Sequence, residues 1–331
     1  MSETKEVLLR AENLCKDFET GKKGQTLHAV SDVTLEIYKG ETLALVGESG
    51  CGKSTLARTL IHLLPATSGK VYFHDQEITG LKDKQFKPIR KKMQMVFQDP
   101  YASLDPRMNV RNIIAEPLIT HRVCGTKEET TQKVEELMNK VGVPLEFLNR
   151  YPHQFSGGQR QRIGIARAIA LDPELLVCDE PVSALDVSVQ SQVLNLFKHL
   201  QKSMNLTYLF IGHDLSVINF IADRVCVMFL GRVCEVADKE ELYSHPMHPY
   251  TNFLMDAIPQ ADPHLRDEHR MLLEGEIPSP VNPPSGCYFH TRCPYCTERC
   301  KNEAPAMREY KNGHKCACHL CEEKYKDDLV K

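Results

Sequence analysis

Residues 42–64 read TLALVGESGCGKSTLARTLIHLL: an apolar run, a glycine-rich turn and a helix-periodic stretch in succession. The turn matches the pattern G-x-x-x-x-G-K-S/T at Gly47, Gly52, Lys53 and Ser54, and it lies between an expected strand (42–46) and an expected helix (54–64), the context that pattern requires. The spacing has a physical reason. Glycines let the backbone N–H groups of Gly47, Glu48, Ser49, Gly50, Cys51 and Gly52 curl around phosphate oxygens, while the helix N-terminus adds the positive end of its dipole. Lys53 reaches the terminal phosphates, the Ser54 hydroxyl is an oxygen ligand for magnesium, and Thr55 adds a further phosphate contact. A chance glycine-rich turn is the bland alternative, and the flanking strand and helix weigh against it. Alone, the turn says only that the chain handles a nucleoside triphosphate. The sequence contains no N-K-x-D guanine-reading motif, so ATP is the expected nucleotide.

Outward from this turn, apolar runs recur at 93–97, 175–178, 208–211 and 225–229, separated by helix-like stretches at 127–141, 158–170 and 187–202. Buried strands alternating with helices predict an α/β fold with a mostly parallel core sheet covered on both faces, which binds ligands at the carboxyl ends of its strands. The polar-alternating segments 8–13 and 33–37 suit a smaller antiparallel sheet. The run 175–178 delivers two carboxylates at its end. Asp179 is placed to hold magnesium through water, and Glu180 to polarise the water that attacks the γ-phosphate. Solvated surface acids are the alternative for such a pair, weakened here by the phosphate loop upstream.

The bulk properties bound the rest. At 331 residues the chain is long for one domain, so a main domain with an appendage is expected. Its 41 basic and 44 acidic residues, formal net charge -3, give no basic excess, and no nucleic-acid partner is expected. No stretch approaches the roughly 20 apolar residues of a membrane helix, and the start MSETKEVLLRAENL shows no leader. A soluble protein whose membrane role is borrowed from partners is the expectation. Thirteen cysteines without a secretion signal point to a reducing compartment, and seven of them fall between Cys287 and Cys321.

The segment Phe155-Ser156-Gly157-Gly158-Gln159, ahead of RQRIGIARAIALDP, resembles the LSGGQ signature of ABC ATPases. The resemblance implies a P-loop NTPase fold of the ABC nucleotide-binding type, with an antiparallel β subdomain and a helical subdomain carrying the signature. It implies a main domain over 1–240, helical at about 99–170, and a small Cys-rich extension over 241–331. The Ser156 hydroxyl, the Gly157 and Gly158 N–H groups, Gln159 and a helix N-terminus make an anion nest. In the family that nest grips the γ-phosphate of nucleotide held by the opposite subunit, so two ATPs are sandwiched between paired cassettes. Further motifs fall in family order. Gln98 in VFQDP matches the glutamine loop that senses magnesium and water, Asp186 in SALD the loop across the dimer, and His213 in FIGHDLS the switch histidine. Phe18 is the first candidate to stack on adenine, with Tyr38, nearer to Gly47 in sequence, as the alternative. The resemblance thus implies ATP with Mg2+ on Ser54, Gln98 and Asp179, and catalysis by Glu180, His213 and Gln98. Taken singly, a glutamine, a histidine or Phe18 is more often a satisfied polar or core residue.

Within the family, GGQRQRIGIARAIALDPELLVCDEPVSALDVSVQSQVLNL followed by HPMHPYTNFL and GEIPSPVNPPSGCYFHTRC resembles the ATPase subunits of bacterial peptide importers, with nickel importers sharing much of the tail. This implies a subunit at the cytoplasmic face of the membrane. Its partners would be a second, different ATPase subunit, two transmembrane permeases and an external solute-binding protein. The permease contact is expected around residues 101–107. An ABC ATPase outside transport is the alternative; such factors usually carry two cassettes or a coiled-coil insertion, and neither is present.

Cys287, Cys293, Cys300 and Cys318 match tail positions that hold a 4Fe–4S cluster in some relatives, a group that takes four thiolates. Zinc is the competing metal, because Cys293-x-x-Cys296 and Cys318-x-x-Cys321 have zinc-knuckle spacing; small buried hydrophobes are the third reading. Cys51, beside a lysine and a helix N-terminus, is expected to have a lowered pKa and to be reactive. His245 and His248 are assigned no chemistry, prolines making a turn the commoner explanation.

Overall fold

The computed structural model describes residues 5–21, 24–99, 101–257 and 275–330, so the first four residues of the N-terminus lie outside it. Two units share the chain, one made of Met1–Glu6, Ile37–Thr42 and Leu81–Ile211, the other of Val7–Glu36, Leu43–Gly80 and Gly212–Lys331.

In the first unit, the strands Met93–Val96, Leu175–Asp179 and Thr207–Ile211 run parallel, Met93 beside Leu175 and Leu175 beside Thr207. The last two are buried along their whole length. A strand covered on both faces has no polar face to alternate with, which is why these read as continuous apolar runs. Parallel register also brings the carboxyl ends of all three to one edge, where Gln98 and Glu180 follow directly. The helices Val110–Thr120, Lys127–Lys140 and Gly157–Ile169 pack on one another, and Val187–Met204 packs on the last of them. The sequence TKEE starts the second of these as a reciprocal cap: the Thr126 hydroxyl accepts from Glu129 N–H at 3.1 Å, and the Glu129 carboxylate from Thr126 N–H at 3.3 Å.

In the second unit, Thr42–Val46 runs parallel to Arg224–Phe229, Val46 beside Val227. A separate antiparallel sheet is ordered Thr26–Tyr38, Val7–Glu19, Ser68–Phe73, Gln76–Glu77. Both long strands run well beyond the expected 8–13 and 33–37. The tail adds two strands that the sequence did not announce. Lys315–Cys316 pairs antiparallel with Arg232–Asp238, Glu235 opposite Cys316, and Arg308–Glu309 pairs with Lys315–Cys316 in turn. Two-residue strands have no periodicity to detect, and they form because the edge of Arg232–Asp238 offers unpaired backbone groups.

The helix expected over 54–64 is Lys53–Leu60. His62 turns left-handed at φ 59, Leu63 N–H reaches back to Arg58 C=O at 2.8 Å, and Pro65 follows. That wrap-around closure ends the helix although its apolar pattern continues. Among the described residues no helix is long and apolar enough to cross a membrane.

Candidate functional site

The phosphate loop lies in the second unit, launched by the buried strand Thr42–Val46. Gly47 stands at φ 150, and a Cβ there would sit 2.1 Å from Met228 C=O. Gly52, at φ 101, caps the helix Lys53–Leu60, and a Cβ on it would sit 2.1 Å from Ala29 C=O. Only glycine fits either place. Between them Cys51 N–H donates to Glu48 C=O at 3.3 Å, closing the loop into a cradle. The first N–H groups of the helix, on Lys53, Ser54 and Thr55, precede the first intrahelical bond and point to the seat that an anion takes. Lys53 is buried, its ammonium donating to Gly47 C=O at 2.8 Å and Glu48 C=O at 2.9 Å. Ser49 and Gly50 are exposed at the loop's crest.

Cys51 differs from its sequence expectation. It is 5 % exposed and lies 3.7 Å from the Lys53 ammonium. Burial, the larger influence, raises its pKa despite the lysine. A thiol closed off from solvent and held protonated is not a reactive one.

His213 and Phe18 belong to the same unit. His213 is exposed, just ahead of the helix Leu215–Ile221, which Asp214 caps through Ser216 N–H at 2.8 Å. Phe18 is 36 % exposed, with the Lys16 ammonium 4.8 Å from its ring centre.

The first unit holds the acidic and signature residues. Asp179 is the last, fully buried residue of Leu175–Asp179. Glu180 follows at φ 45, a left-handed conformation that costs a non-glycine residue about 1 kcal/mol. Its backbone is held from both sides: its N–H donates to Ile211 C=O at 3.1 Å, and its C=O accepts from the Ser183 hydroxyl at 3.0 Å. The side chain accepts from Gln98 Nε2 at 3.0 Å, so two residues that are 82 apart in sequence meet directly.

The signature residues show a second use. Ser156 caps the helix Gly157–Ile169, with its Oγ accepting from Gln159 N–H at 3.4 Å and Gln159 Oε1 accepting from Ser156 N–H at 3.1 Å. A serine three residues before a glutamine is the reciprocal helix cap, a signal present in the sequence and not read from it. Gly158 lets this helix approach Val187–Met204, since a Cβ there would meet Val189 Cγ1 at 2.2 Å. Asp186 caps that second helix through the Ser188 hydroxyl at 2.7 Å and Val189 N–H at 3.0 Å, hydrogen bonds that hold its carboxyl below the usual range.

The tail thiols are all free. Burial pushes Cys287 up to about 11 and Cys293 up to about 12, and each also feels Cys318 and Cys300. Cys316 donates to Cys321 Sγ at 3.6 Å, and Cys321 to Met247 C=O at 3.2 Å. Among the described residues, no group of three or more His, Cys, Asp or Glu side chains is arranged to hold a metal ion. The cluster or zinc expected in the tail therefore has no support in this arrangement. His248 is structural: buried, it caps the helix Pro249–Asp256 through Tyr250 N–H at 3.0 Å, and burial lowers its pKa to about 4.

Magnesium and a triphosphate fit the residues present. In the second unit the cradle admits only glycine at Gly47 and Gly52 and Ser54 offers a hydroxyl; in the first unit Gln98 and Asp179 offer side-chain oxygens, the hard donor type that magnesium takes.

Two family descriptions match the chain: "ABC transporter" over residues 30–183, and "Oligopeptide/dipeptide transporter, C-terminal region" over residues 234–300. The putative oligopeptide transport ATP-binding protein YkfD of Bacillus subtilis is 52% identical over 314 residues, 95% of this chain and 95% of its own length. The oligopeptide transport ATP-binding protein OppF of Escherichia coli is 50% identical over 315 residues, 93% of this chain and 94% of its own. Among solved structures, the ATP-binding cassette MJ0796, a dimer in a post-hydrolysis state bound to ADP and Pi, aligns with a TM-score of 0.64 at 30% identity over 70% of this chain and 98% of its own. The cbiO1 subunit of the Clostridium perfringens cbiONQ transporter aligns with a TM-score of 0.65 at 26% identity, over 72% of this chain and 92% of its own.

Proposed function

The chain belongs to the ABC transporter ATP-binding proteins, with the C-terminal region of the oligopeptide/dipeptide branch, and from that premise we propose that it is the ATP-hydrolysing subunit of a peptide importer. The observation that carries this reading is the glycine-only cradle closing over Lys53 in a chain whose likeness to oligopeptide transport ATP-binding proteins covers 93–95% of its length.

ATP binds with its phosphates on the loop 47–55, where backbone N–H groups and Lys53 meet the charge. Ser54, Gln98 and Asp179 would hold magnesium, which when bound would supply positive charge against the charge that develops on the phosphates. Glu180 accepts a proton from the attacking water, and Gln98, already bonded to Glu180, fixes the direction in which that carboxylate points. His213 contacts the γ-phosphate. The nest at Ser156, Gly157 and Gly158, with Gln159 bracing its cap, grips the phosphate held by a second, different ATPase subunit, Asp186 lies across that interface, and Phe18 stacks on adenine. The pair works at the cytoplasmic face of the membrane on two permeases fed by an external solute-binding protein. Tyr101, 55% exposed, and Arg107, extended from its pair with Asp105 at 3.2 Å, offer the permease contact.

Cells lacking the subunit, given it back, should recover uptake of labelled dipeptide or oligopeptide and show no change in nickel uptake. Recovery of nickel uptake alone would replace the cargo and leave the ATPase intact. Recovery of neither would favour an ABC ATPase outside transport.

For the tail we propose the finer reading that Cys287, Cys293, Cys300 and Cys318 take up a 4Fe–4S cluster; the described residues form no ready metal-binding group, and the reading is supported by the all-thiol donor set alone. Protein purified without oxygen should be brown, with iron and sulfide in equal amounts. Zinc in place of iron, or a colourless metal-free protein, would defeat it.

A further inference from the structure

Glu48, the residue after the first glycine of the phosphate loop, is held by two residues from far along the chain. Its carboxylate takes a two-point ion pair from Arg292, Nη1 to Oε2 at 2.8 Å and Nη2 to Oε1 at 3.2 Å. Its N–H donates to the Tyr250 hydroxyl at 2.9 Å. The Arg292 side chain is 6% exposed and that of Glu48 24%, so the pair is largely withdrawn from water. Both partners stand on an aromatic platform. The Tyr250 ring packs against Phe229 at 4.9 Å and Phe289 at 5.3 Å, and the Arg292 guanidinium lies 6.0 Å from the Phe229 ring centre. Phe229 ends the strand that runs beside Thr42–Val46, so the platform and the loop share one pair of strands.

The charge arithmetic gives this arrangement a purpose. A carboxylate on a loop that receives a triphosphate has the same sign as its ligand, and at a partly buried site that repulsion is weakly screened. A bidentate arginine cancels the charge and fixes where the carboxylate points. Removing one member of such a pair leaves the other uncompensated.

We propose that Arg292 and Tyr250 are positioning residues for ATP: Arg292 neutralises Glu48 and turns it aside from the phosphate seat, and Tyr250 pins the loop through the Glu48 N–H. ATP affinity then depends on the tail. The inference rests on the loop being the ATP site, and binding of a fluorescent ATP analogue with magnesium to the unaltered subunit tests that separately. No binding there removes the ATPase reading, whatever the variants do.

The decisive comparison is Arg292→Met against Glu48→Gln/Arg292→Met, each checked by thermal melting for folding. Arg292→Met should weaken analogue binding roughly tenfold or more, the effect of one uncompensated charge near the site, raising KM for ATP more than it lowers kcat. The double variant, with no charge left to neutralise, should recover most of that loss. Arg292→Lys, which keeps the charge but not the two-point grip, should lose less than Arg292→Met; if the methionine variant does not fold, the lysine variant should still bind the analogue within a few-fold of the unaltered subunit, and a loss of roughly tenfold or more in it would overturn the proposal. Unchanged affinity in Arg292→Met would overturn the proposal. So would a double variant as weak as the single one, which is the signature of lost packing alone, or a lysine variant as weak as the methionine one.

Discussion

Glu180→Gln should bind ATP as the unaltered subunit does and hydrolyse it at least about 10²–10³-fold more slowly, the size of contribution that a positioned general base makes. Glutamine keeps the shape, the backbone and an oxygen that accepts from Gln98, so the arrangement around residue 180 persists. What disappears is the carboxylate that takes a proton from water. The backbone of Glu180 supports this assignment. A left-handed residue held by hydrogen bonds at its N–H and its C=O is strain kept in place by its surroundings, and such strain gathers at functional sites. Phosphate release and binding of a fluorescent ATP analogue, measured on the same preparation, check the prediction. Hydrolysis within about tenfold of normal would take Glu180 out of the proton-accepting role.

Gly47→Ala should abolish nucleotide binding and destabilise the subunit by about 3 kcal/mol or more, whereas Gly50→Ala should cost about 1 kcal/mol and keep measurable binding. Both positions have positive φ, 150 at Gly47 and 78 at Gly50, so both lose some backbone freedom on substitution. The difference is what the new methyl group meets. At Gly47 it would meet Met228 C=O at 2.1 Å, backbone of a paired strand that cannot step aside, whereas at Gly50 nothing lies within 4 Å. The cradle at Gly47 must therefore open, and its N–H groups lose their common focus. Analogue binding and thermal melting of the two variants separate the cases; equal losses in both would show that backbone conformation, not contact, governs the loop.

The motifs were readable before any coordinates because each is a contiguous window whose chemistry is local. The strand, turn and helix at 42–64, the acids after 175–178 and the cap at Ser156 need only near neighbours. Cys51 shows where local reading fails. Lysine and helix N-terminus are visible in the sequence and argue for a low pKa, while the burial that outweighs them comes from the folded surroundings. The same holds for the end of the helix at Leu60, where turn geometry overrides an apolar pattern that continues to Leu64.

Sequence alone determined the family and with it ATP as the nucleotide, and it ordered the candidate catalytic groups along the chain, because residue type at fixed short spacing is what phosphate and proton chemistry require. Only the tertiary structure decided which loop glycine is sterically irreplaceable, that the tail adds strands to the sheet edge, and that Arg292 pairs with Glu48 across 244 positions. Those depend on through-space distances of a few ångströms between segments far apart in the chain, and no periodicity or spacing within either segment carries them.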